Sequence, residues 1–230
     1  MTKPAPIAVA LDGPDLETVV SWARSTGPFI STMKIGLETY LRDGDRAVHD
    51  VREASGGRDV FLDLKLHDIP NTVAGAARSI AHLRPTYLTV HASGGAAMIR
   101  AAVDALPDTK ITAVTILTSL DDSALAGIGM QGPALDAACR LAELAVDAGA
   151  RAIVCSPQEV AAIRAKVPAD IVLVTPGVRP AGAALGDQAR VATPEQALAD
   201  GADLLVIGRP ITAAEDPASA AEQLSRGLIS

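Results

Sequence analysis

The stretch VFLDLKLHDIPNTVAGAARSIAHLRPTYLTVH, residues 60–91, contains a complete strand–helix–strand pattern. The apolar runs at residues 60–66 and 87–91 each have the length of a buried strand. Between them, residues 71–83 place apolar side chains at helical spacing. Two strands joined by a helix in this way predict one βα unit of a parallel sheet.

The same alternation continues over the rest of the chain. Strand-like runs recur at residues 7–11, 32–36, 60–66, 87–91, 111–117, 152–156, 171–175 and 204–208, with helical spacing between them, for example at 15–25 and 134–149. This pattern predicts an α/β protein, a (β/α)8 TIM barrel that forms a single domain over residues 1–230. An open doubly wound sheet is the alternative, because counting strands does not show that the sheet closes.

The composition limits the class of protein. Of 230 residues, 49% are hydrophobic but only 2% are aromatic, so the core must be built from Ala, Val, Leu and Ile. Such side chains suit helices packed closely on a parallel sheet. The formal net charge is -7 and no basic run is present, which argues against nucleic-acid binding.

The spacing of cysteines and histidines indicates no metal centre. Cys139 and Cys155 lie in apolar segments, so we expect buried free thiols and a reducing compartment. The histidines, at His49, His67, His82 and His91, lack the paired spacing of a zinc site. We therefore predict no obligatory metal.

Hydropathy predicts the location of the protein. No apolar run approaches the roughly 18 residues of a membrane span. Residues 1–12 lack the pattern of a signal peptide. We expect a cytoplasmic protein that has no membrane partner.

Local sequence signals mark two helix starts and two long connections. Ser156 and Thr193 are each followed by Pro and then by Glu or Gln, so both hydroxyls are predicted N-caps. The connections at residues 118–133 and 178–192 are rich in Gly and Ala, which is typical of mobile active-site loops. Plain surface insertions are an equal alternative.

Polar residues collect where the predicted strands end. In a barrel, catalytic side chains lie at the carboxyl ends of the strands, where the βα loops begin. The residues at these positions are Asp12, Lys34, Asp63, Lys65, Asp68, His91, Thr118, Gly208 and Arg209. They predict a functional site at this end of the barrel.

The third strand carries three of these charges. Residues i and i+2 of a strand share a face, so Asp63 and Lys65 are predicted to point into the barrel with Phe61, while the intervening leucines face the helices. Asp68 lies beyond the strand in a turn. A lysine between acids keeps its proton, so Lys65 is predicted to be a proton donor and not a Schiff-base nucleophile. A salt-bridged edge strand without a function is the alternative.

Two further strand ends carry weaker signals for phosphate binding. TPGVR, residues 175–179, and VIGRP, residues 206–210, end the seventh and eighth strands with Gly and Arg. Barrels often bind phosphate here through loop amides and a guanidinium. A Pro-Gly or Gly-Arg pair alone is also common in turns, so the prediction of a phosphate site depends on finding both segments.

Together these segments resemble one known family over essentially the whole chain. They are ALD at residues 10–12, MKIG at 33–36, DLKLHDIPNT at 63–72, LTS at 117–119, TPGVR at 175–179, GDQARVATP at 186–194 and VIGRP at 206–210. They resemble the orotidine 5'-phosphate decarboxylase family of the bacterial type, and the D-x-K-x-x-D array followed by I-P-N-T is the most specific element. The resemblance implies cofactor-free decarboxylation of orotidine 5'-monophosphate to UMP and CO2, the last step of de novo pyrimidine synthesis.

The resemblance also implies a role for each site residue. Lys65 would protonate C6 of the pyrimidine, and Asp63 would lie beside the substrate carboxylate. Asp68, with Ile69 and Thr72 nearby, would enter the site of the partner subunit in a homodimer. The other substrate-binding positions would be Asp12 and Lys34 at the ribose, Thr118 at the pyrimidine, Arg179, Gln188, Gly208 and Arg209 at the phosphate, and Pro176.

Two alternative functions remain at this point. The first is a sugar-phosphate relative with the same charged array, either a 3-keto-gulonate phosphate decarboxylase or a hexulose phosphate synthase, which would use magnesium and an enediolate. Such relatives usually place D-x-G where this chain has Asp68-Ile69-Pro70. The second is a catalytically silent barrel that binds phosphate, although two acids near an anionic ligand argue against it.

Overall fold

The computed structural model describes residues 3–179 and 192–228. Its strands close into a parallel barrel in chain order, and β1 pairs with β8 through Ile7 and Leu205. The strands are β1 Ala5–Ala10, β2 Ile30–Gly36, β3 Asp59–Leu66, β4 Tyr87–His91, β5 Lys110–Val114, β6 Ala152–Val154, β7 Val172–Thr175 and β8 Leu204–Ile207. The predicted TIM barrel is therefore confirmed, and the open sheet is wrong.

Helices follow the strands around the outside of the barrel. They are α1 Leu16–Thr26, α2 Leu37–Asp43, α3 Asp45–Ala54, α4 Pro70–Ser79, α5 Gly95–Ala105, α6 Asp122–Gly127, α7 Ala134–Asp147, α8 Val160–Arg164, α9 Pro194–Ala199, α10 Arg209–Thr212 and α11 Pro217–Leu228. Short 3-10 turns lie at Ala81–Leu83 and Ala92–Gly94. The prediction of a single domain over residues 1–230 includes residues outside the described ranges and stays a prediction.

Apolar side chains pack in two separate layers. The larger lies between the sheet and the helices and includes Val9, Ile35 and Leu88. The smaller fills the barrel and consists of Ala8, Phe61, Tyr87, Ala152, Val174 and Leu204. In this inner layer the rings of Phe61 and Tyr87 lie 5.5 Å apart. The alternation of strand residues thus produces two cores, as expected for a barrel with packed interior.

One of the two predicted helix caps is confirmed and the other is wrong. Thr193 is the N-cap of α9, and its hydroxyl accepts a hydrogen bond from the Gln196 N–H. Helix α8 begins only at Val160, and the buried Ser156 hydroxyl has no hydrogen-bond partner. Instead the Glu159 carboxylate accepts a bond of 2.8 Å from the Ser156 N–H. The turn before α8 leaves Ser156 too far from the first helical N–H groups to cap them.

The two long connections differ in what can be described. Residues 118–133 contain the short helix α6, whose N-cap Asp121 accepts a hydrogen bond from the Ala124 N–H. Most of the second connection, residues 180–191, lies outside the described residues. No helix within 3–179 and 192–228 is long and apolar enough to cross a membrane.

Candidate active site

Four charged side chains form a connected network at the carboxyl end of the barrel. Lys34 Nζ lies 3.1 Å from Asp12 Oδ2 and 3.4 Å from Asp63 Oδ2. Asp63 Oδ1 in turn lies 2.8 Å from Lys65 Nζ. Asp12 follows β1, Lys34 lies in β2, and Asp63 and Lys65 lie in β3. Negative and positive groups therefore alternate across three neighbouring strands.

Burial and ion pairing have opposite effects on the two inner members of this network. Burial by itself lowers the pKa of Lys34, but the carboxylates of Asp63 and Asp12 outweigh burial and hold that pKa above its usual value. Burial raises the pKa of Asp63, but Lys34 and Lys65 outweigh it, so this pKa lies below its usual value. Both groups are therefore charged at neutral pH.

The backbone of β3 is irregular where it carries Lys65. Lys65 has a φ of 49°, in the left-handed region, which costs an L residue about 1–2 kcal/mol. The pairing of β3 with β4 also shifts between Leu62 and Leu66. Asp63 and Lys65 do meet, as predicted, but simple strand alternation does not explain how, because the strand is not regular at this point.

A hydroxyl on β4 compensates for this irregularity. Thr89 is completely buried. Its Oγ1 accepts a hydrogen bond of 2.8 Å from the Lys65 N–H and donates one of 3.0 Å to Asp63 Oδ1. Thr89 was not among the sequence candidates. Its position two residues after the inward-facing Tyr87 was the available signal.

Two adjoining cavities open beside the network. The smaller, of about 190 Å³, is lined by apolar residues together with Lys34, Asp63, Lys65 and Thr118, and Phe61 contributes to its wall. The larger, of about 520 Å³, is lined mainly by residues that follow β1, β7 and β8: Asp12, Pro176, Gly177, Arg179, Gly208, Arg209 and Pro210 are among them. Pro176 and Val206 line both cavities, so one extended ligand can occupy the two.

The larger cavity has the features of an anion site. Arg209 begins the short helix α10, and Gly208 precedes it. Arg179 follows β7, and its backbone N–H donates to the Ala192 carbonyl, at the other end of the long connection. Two guanidinium groups and loop backbone around one cavity suit phosphate. Arg179, Gly208 and Arg209, which the sequence predicts at the carboxyl ends of β7 and β8, all line this one cavity.

The segment after β3 lies on the surface of this chain. Asp68, Ile69 and Thr72 are exposed, and Ile69 has 66% of its surface accessible. The Asp68 carboxylate accepts a hydrogen bond of 2.6 Å from the Ile69 N–H. None of the three lines either cavity formed by the described residues. Within one chain they are therefore separate from the network.

A glycine that the sequence did not single out makes room for Asp12. A Cβ added to Gly36, the last residue of β2, would overlap the Asp12 carboxylate. The absence of a side chain at Gly36 thus permits the ion pair between Asp12 and Lys34. The MKIG segment contained this residue, but nothing in the sequence indicated which side chain would lie against it.

Two histidines lie beside Lys65. The ring centroids of His67 and His91 are 5.3 Å apart. Burial, followed by the nearby His67 and Lys65, lowers the pKa of His91. His91 is therefore neutral near pH 7, and it does not line either cavity.

The remaining predictions concern metal, thiols and Gln188. Among the described residues, no group of three or more His, Cys, Asp or Glu side chains could hold a metal ion. Cys139 and Cys155 are free and buried, as predicted, and Cys155 lines the smaller cavity. Burial raises the pKa of the Cys155 thiol well above its usual value. Gln188 lies outside the described residues.

A closed (β/α)8 barrel with lysine–carboxylate pairs at its carboxyl end, beside an apolar cavity and one that contains two arginines, is typical of enzymes that act on small phosphorylated substrates. The model of the orotidine 5'-phosphate decarboxylase / HUMPS family matches residues 5–224. The chain belongs to this family, and the resemblance predicted from its sequence is confirmed.

Named relatives agree with the family. The chain is 66% identical to orotidine 5'-phosphate decarboxylase of Thermobifida fusca (strain YX), over 97% of this chain and 96% of the relative. It is 56% identical to the protein of that name from Anaeromyxobacter dehalogenans, over 96% and 97% of the two chains. The crystal structure of orotidine 5'-phosphate decarboxylase from Lactobacillus acidophilus matches with a TM-score of 0.84 and 34% identity. The match covers 98% of this chain and 100% of the other.

Proposed function

We propose that this enzyme converts orotidine 5'-monophosphate to UMP and CO2 in pyrimidine biosynthesis, with Lys65 as the proton donor and without a metal or cofactor. The observation that carries the proposal is the network in which Lys65 Nζ lies 2.8 Å from Asp63 Oδ1 at the wall of an apolar cavity. The relatives that bear the decarboxylase name support the choice of substrate.

Lys65 is suited to donate a proton to carbon. Decarboxylation breaks the bond between C6 and the carboxylate carbon, and the electron pair of that bond stays on C6. The Lys65 ammonium group gives one proton to C6, which yields UMP, and solvent later restores the proton on the amine. The side chain of Lys65 is 33% exposed, so it can reach both the cavity and water.

Asp63 acts on the reaction through its charge. Its side chain is 15% exposed and it stays ionised because Lys34 and Lys65 flank it. A fixed anion beside the substrate carboxylate disfavours the bound ground state, and the repulsion falls as CO2 leaves. The same anion orients Lys65, so that the proton is in place when the charge on C6 develops.

The two cavities bind different parts of the substrate, according to the polarity of each part. The pyrimidine occupies the smaller, mainly apolar cavity, near Thr118. The phosphate occupies the larger cavity, near Arg179 and Arg209. The ribose lies where the cavities join, with Asp12 on one side and Lys34 on the other. Binding energy from the phosphate then holds the pyrimidine against Lys65.

The complete site needs a second copy of the chain. Asp68 is exposed and lies outside both cavities of its own chain, and the neighbouring Ile69 is an exposed large apolar side chain. In a homodimer, Asp68 of one subunit enters the site of the other, with Ile69 and Thr72 beside it. The monomer alone is then inactive.

A turnover assay on the purified protein tests the proposed reaction. After treatment with a chelator, we expect the protein to remove the absorbance of orotidine 5'-monophosphate and to form UMP. Turnover only after magnesium is added, or turnover of a sugar phosphate alone, would instead indicate the sugar-phosphate relatives. Tight binding of UMP without any turnover would indicate a silent barrel.

A mixing experiment tests the shared site. Dimers of Lys65→Ala and of Asp68→Ala are each expected to be inactive, but mixed dimers contain one site with both residues intact. Exchange of subunits should therefore restore up to about a quarter to a half of the activity per subunit, depending on how the chains distribute. Subunit exchange shown by mass spectrometry without recovered activity would contradict the donation of Asp68.

A further inference from the structure

We propose that Thr89 is a positioning residue, whose single hydroxyl holds Lys65 in its reactive conformation and aligns Asp63 with it. This inference rests on the proposed role of Lys65 as proton donor. Thr89 does not line either cavity, so it acts through its two neighbours and not on the substrate.

The hydrogen bonds of Thr89 have a fixed direction. The Lys65 N–H can only donate, so the Thr89 oxygen accepts this bond of 2.8 Å. The Asp63 carboxylate can only accept, so the one Thr89 proton goes to Asp63 Oδ1 at 3.0 Å. The one proton of the hydroxyl is therefore committed to Asp63, and the same Asp63 oxygen also binds Lys65 Nζ at 2.8 Å. Thr89 closes a ring that joins the backbone of Lys65 to its own side chain.

The ring lies where the sheet cannot hold Lys65. The register of β3 with β4 shifts between Leu62 and Leu66, and Lys65 itself has a φ of 49°. A backbone N–H at such an irregularity has lost its regular partner in the neighbouring strand. The Thr89 side chain replaces that partner. This bond fixes the backbone of Lys65 at the left-handed residue from which its side chain reaches Asp63.

Titratable groups on both adjacent strands lie near Asp63. Lys34 on β2 and Lys65 on β3 contact its two oxygens, and Asp12 after β1 lies behind Lys34. On β4, His91 lies close enough for Asp63 to influence it. These residues are unchanged in a Thr89 variant, so a change in the pKa of Asp63 in such a variant reports the lost hydroxyl together with any displacement of Lys65 that its loss allows.

Two substitutions distinguish positioning from packing. Thr89→Val keeps the shape and removes the hydroxyl, whereas Thr89→Ser keeps the hydroxyl and removes a methyl group. A positioning role predicts that kcat falls about 10- to 100-fold in the Val variant and by less than about threefold in the Ser variant. A packing role predicts the reverse order, because a buried methyl group is then the lost interaction.

The matched control is Thr112→Val on the neighbouring strand. Thr112 pairs with Thr89 in the β4–β5 register, is equally buried, and donates its hydroxyl to the Lys110 carbonyl, away from the network. Its kcat should stay within about twofold of the parent enzyme. The KM of Thr89→Val should also change by less than about threefold, because the ribose and phosphate contacts remain.

A measurement without turnover separates this inference from the proposed reaction. Titration of the Asp63 carboxyl by carbon-13 NMR should give a higher pKa in Thr89→Val than in the parent and in Thr89→Ser, since a donor to the carboxylate is lost. This result stands even if the parent protein does not turn over orotidine 5'-monophosphate. An unchanged pKa in the Val variant would overturn the inference, as would normal kcat in that variant. If the Val variant does not fold, a folded Ser variant with kcat more than about tenfold reduced would overturn it.

Discussion

The two sides of the site are built in different ways. On the side of β1, β2 and β3, four charged side chains hold one another at 2.8 to 3.4 Å, and Thr89 ties them to β4. On the side of β7 and β8, the larger cavity is lined by short backbone segments, among them Gly177 and Gly208, and by the guanidinium groups of two arginines. The first side is ordered by contacts between side chains on adjacent strands, and the second by turns.

This difference suggests a division of labour. A network that is complete within the barrel can be in its reactive arrangement before the substrate arrives, which favours the chemical step. The larger cavity beside it, where Arg179 and Arg209 lie, would supply binding energy through the phosphate of the proposed substrate. Variants on the first side should therefore change mainly kcat, and variants on the second mainly KM.

The largest effect is expected from removing the proton donor. Lys65→Ala should lower kcat by at least about 1,000-fold, because the other lysine at the cavity, Lys34, is held between Asp12 and Asp63 and is far more buried than Lys65. The assay is the loss of orotidine nucleotide absorbance, with dimer formation checked by light scattering. Lys110→Ala is the matched control, since Lys110 starts β5 and lies over the Tyr87 ring at the opposite end of the barrel. Near-normal turnover of Lys65→Ala would disprove its role as the donor.

A smaller effect of a different kind is expected on the phosphate side. Arg209→Ala should lower kcat/KM by about 10- to 100-fold, mainly through KM, because a charged hydrogen bond to phosphate is lost. Arg226→Ala on α11, where the arginine is exposed and pairs with Glu222, provides the control. Steady-state kinetics decide the result. A fall in kcat alone would remove the proposed division between the two sides.

Filling the space beside Asp12 should disturb the first side without changing any charge. Gly36→Ala forces the Asp12 carboxylate away from its ion pair with Lys34, and we expect kcat/KM to fall about tenfold. Gly227→Ala in α11 is the control, because an added Cβ there meets only Glu195 at 3.7 Å. Equal kinetics for the two variants would show that Asp12 can move without consequence.

The last prediction concerns stability and pH, with no change in turnover required. Asp63 has a pKa below its usual value of 3.8, so its stabilising effect is present above that pH and is lost as the pH falls through the lower, folded value. Lys34 has a pKa above 10.5, so its effect is present below that pH and is lost as the pH rises through the folded value. Urea unfolding should make Asp63→Asn about 3 kcal/mol less stable than the parent at pH 7, with a difference that shrinks in acid. A constant difference from pH 7 down to pH 2 would contradict the assigned shift.

Much of the architecture follows from local pattern. The short apolar runs predict all the strands of the barrel, and Thr193-Pro194 predicts a helix start that the structure confirms. The similar Ser156-Pro157 pair fails because helix α8 begins later, at Val160. A capping signal is short, and the packing of the following turn decides whether the hydroxyl meets a free N–H.

The site residues divide in the same way. Asp12, Lys34, Asp63 and Lys65 could be found from their sequence because charges at the ends of apolar strands are unusual. Thr89 and Gly36 could not be identified with equal ease, since a threonine in a strand and a glycine at its end are ordinary. Their importance depends on the side chains that lie against them.

By itself, the sequence determined the alternation of strands and helices, the charges at the strand ends and the family, because these depend on residue type and pattern along one chain. Only the tertiary structure decided that Asp12, Lys34, Asp63 and Lys65 form one alternating network, that Lys65 has left-handed backbone, and that a β4 hydroxyl holds it there. The physical reason is that closing the sheet brings distant residues within hydrogen-bond distance. Which strand neighbours which, and in what register, is a property of the closed barrel and not of any single segment.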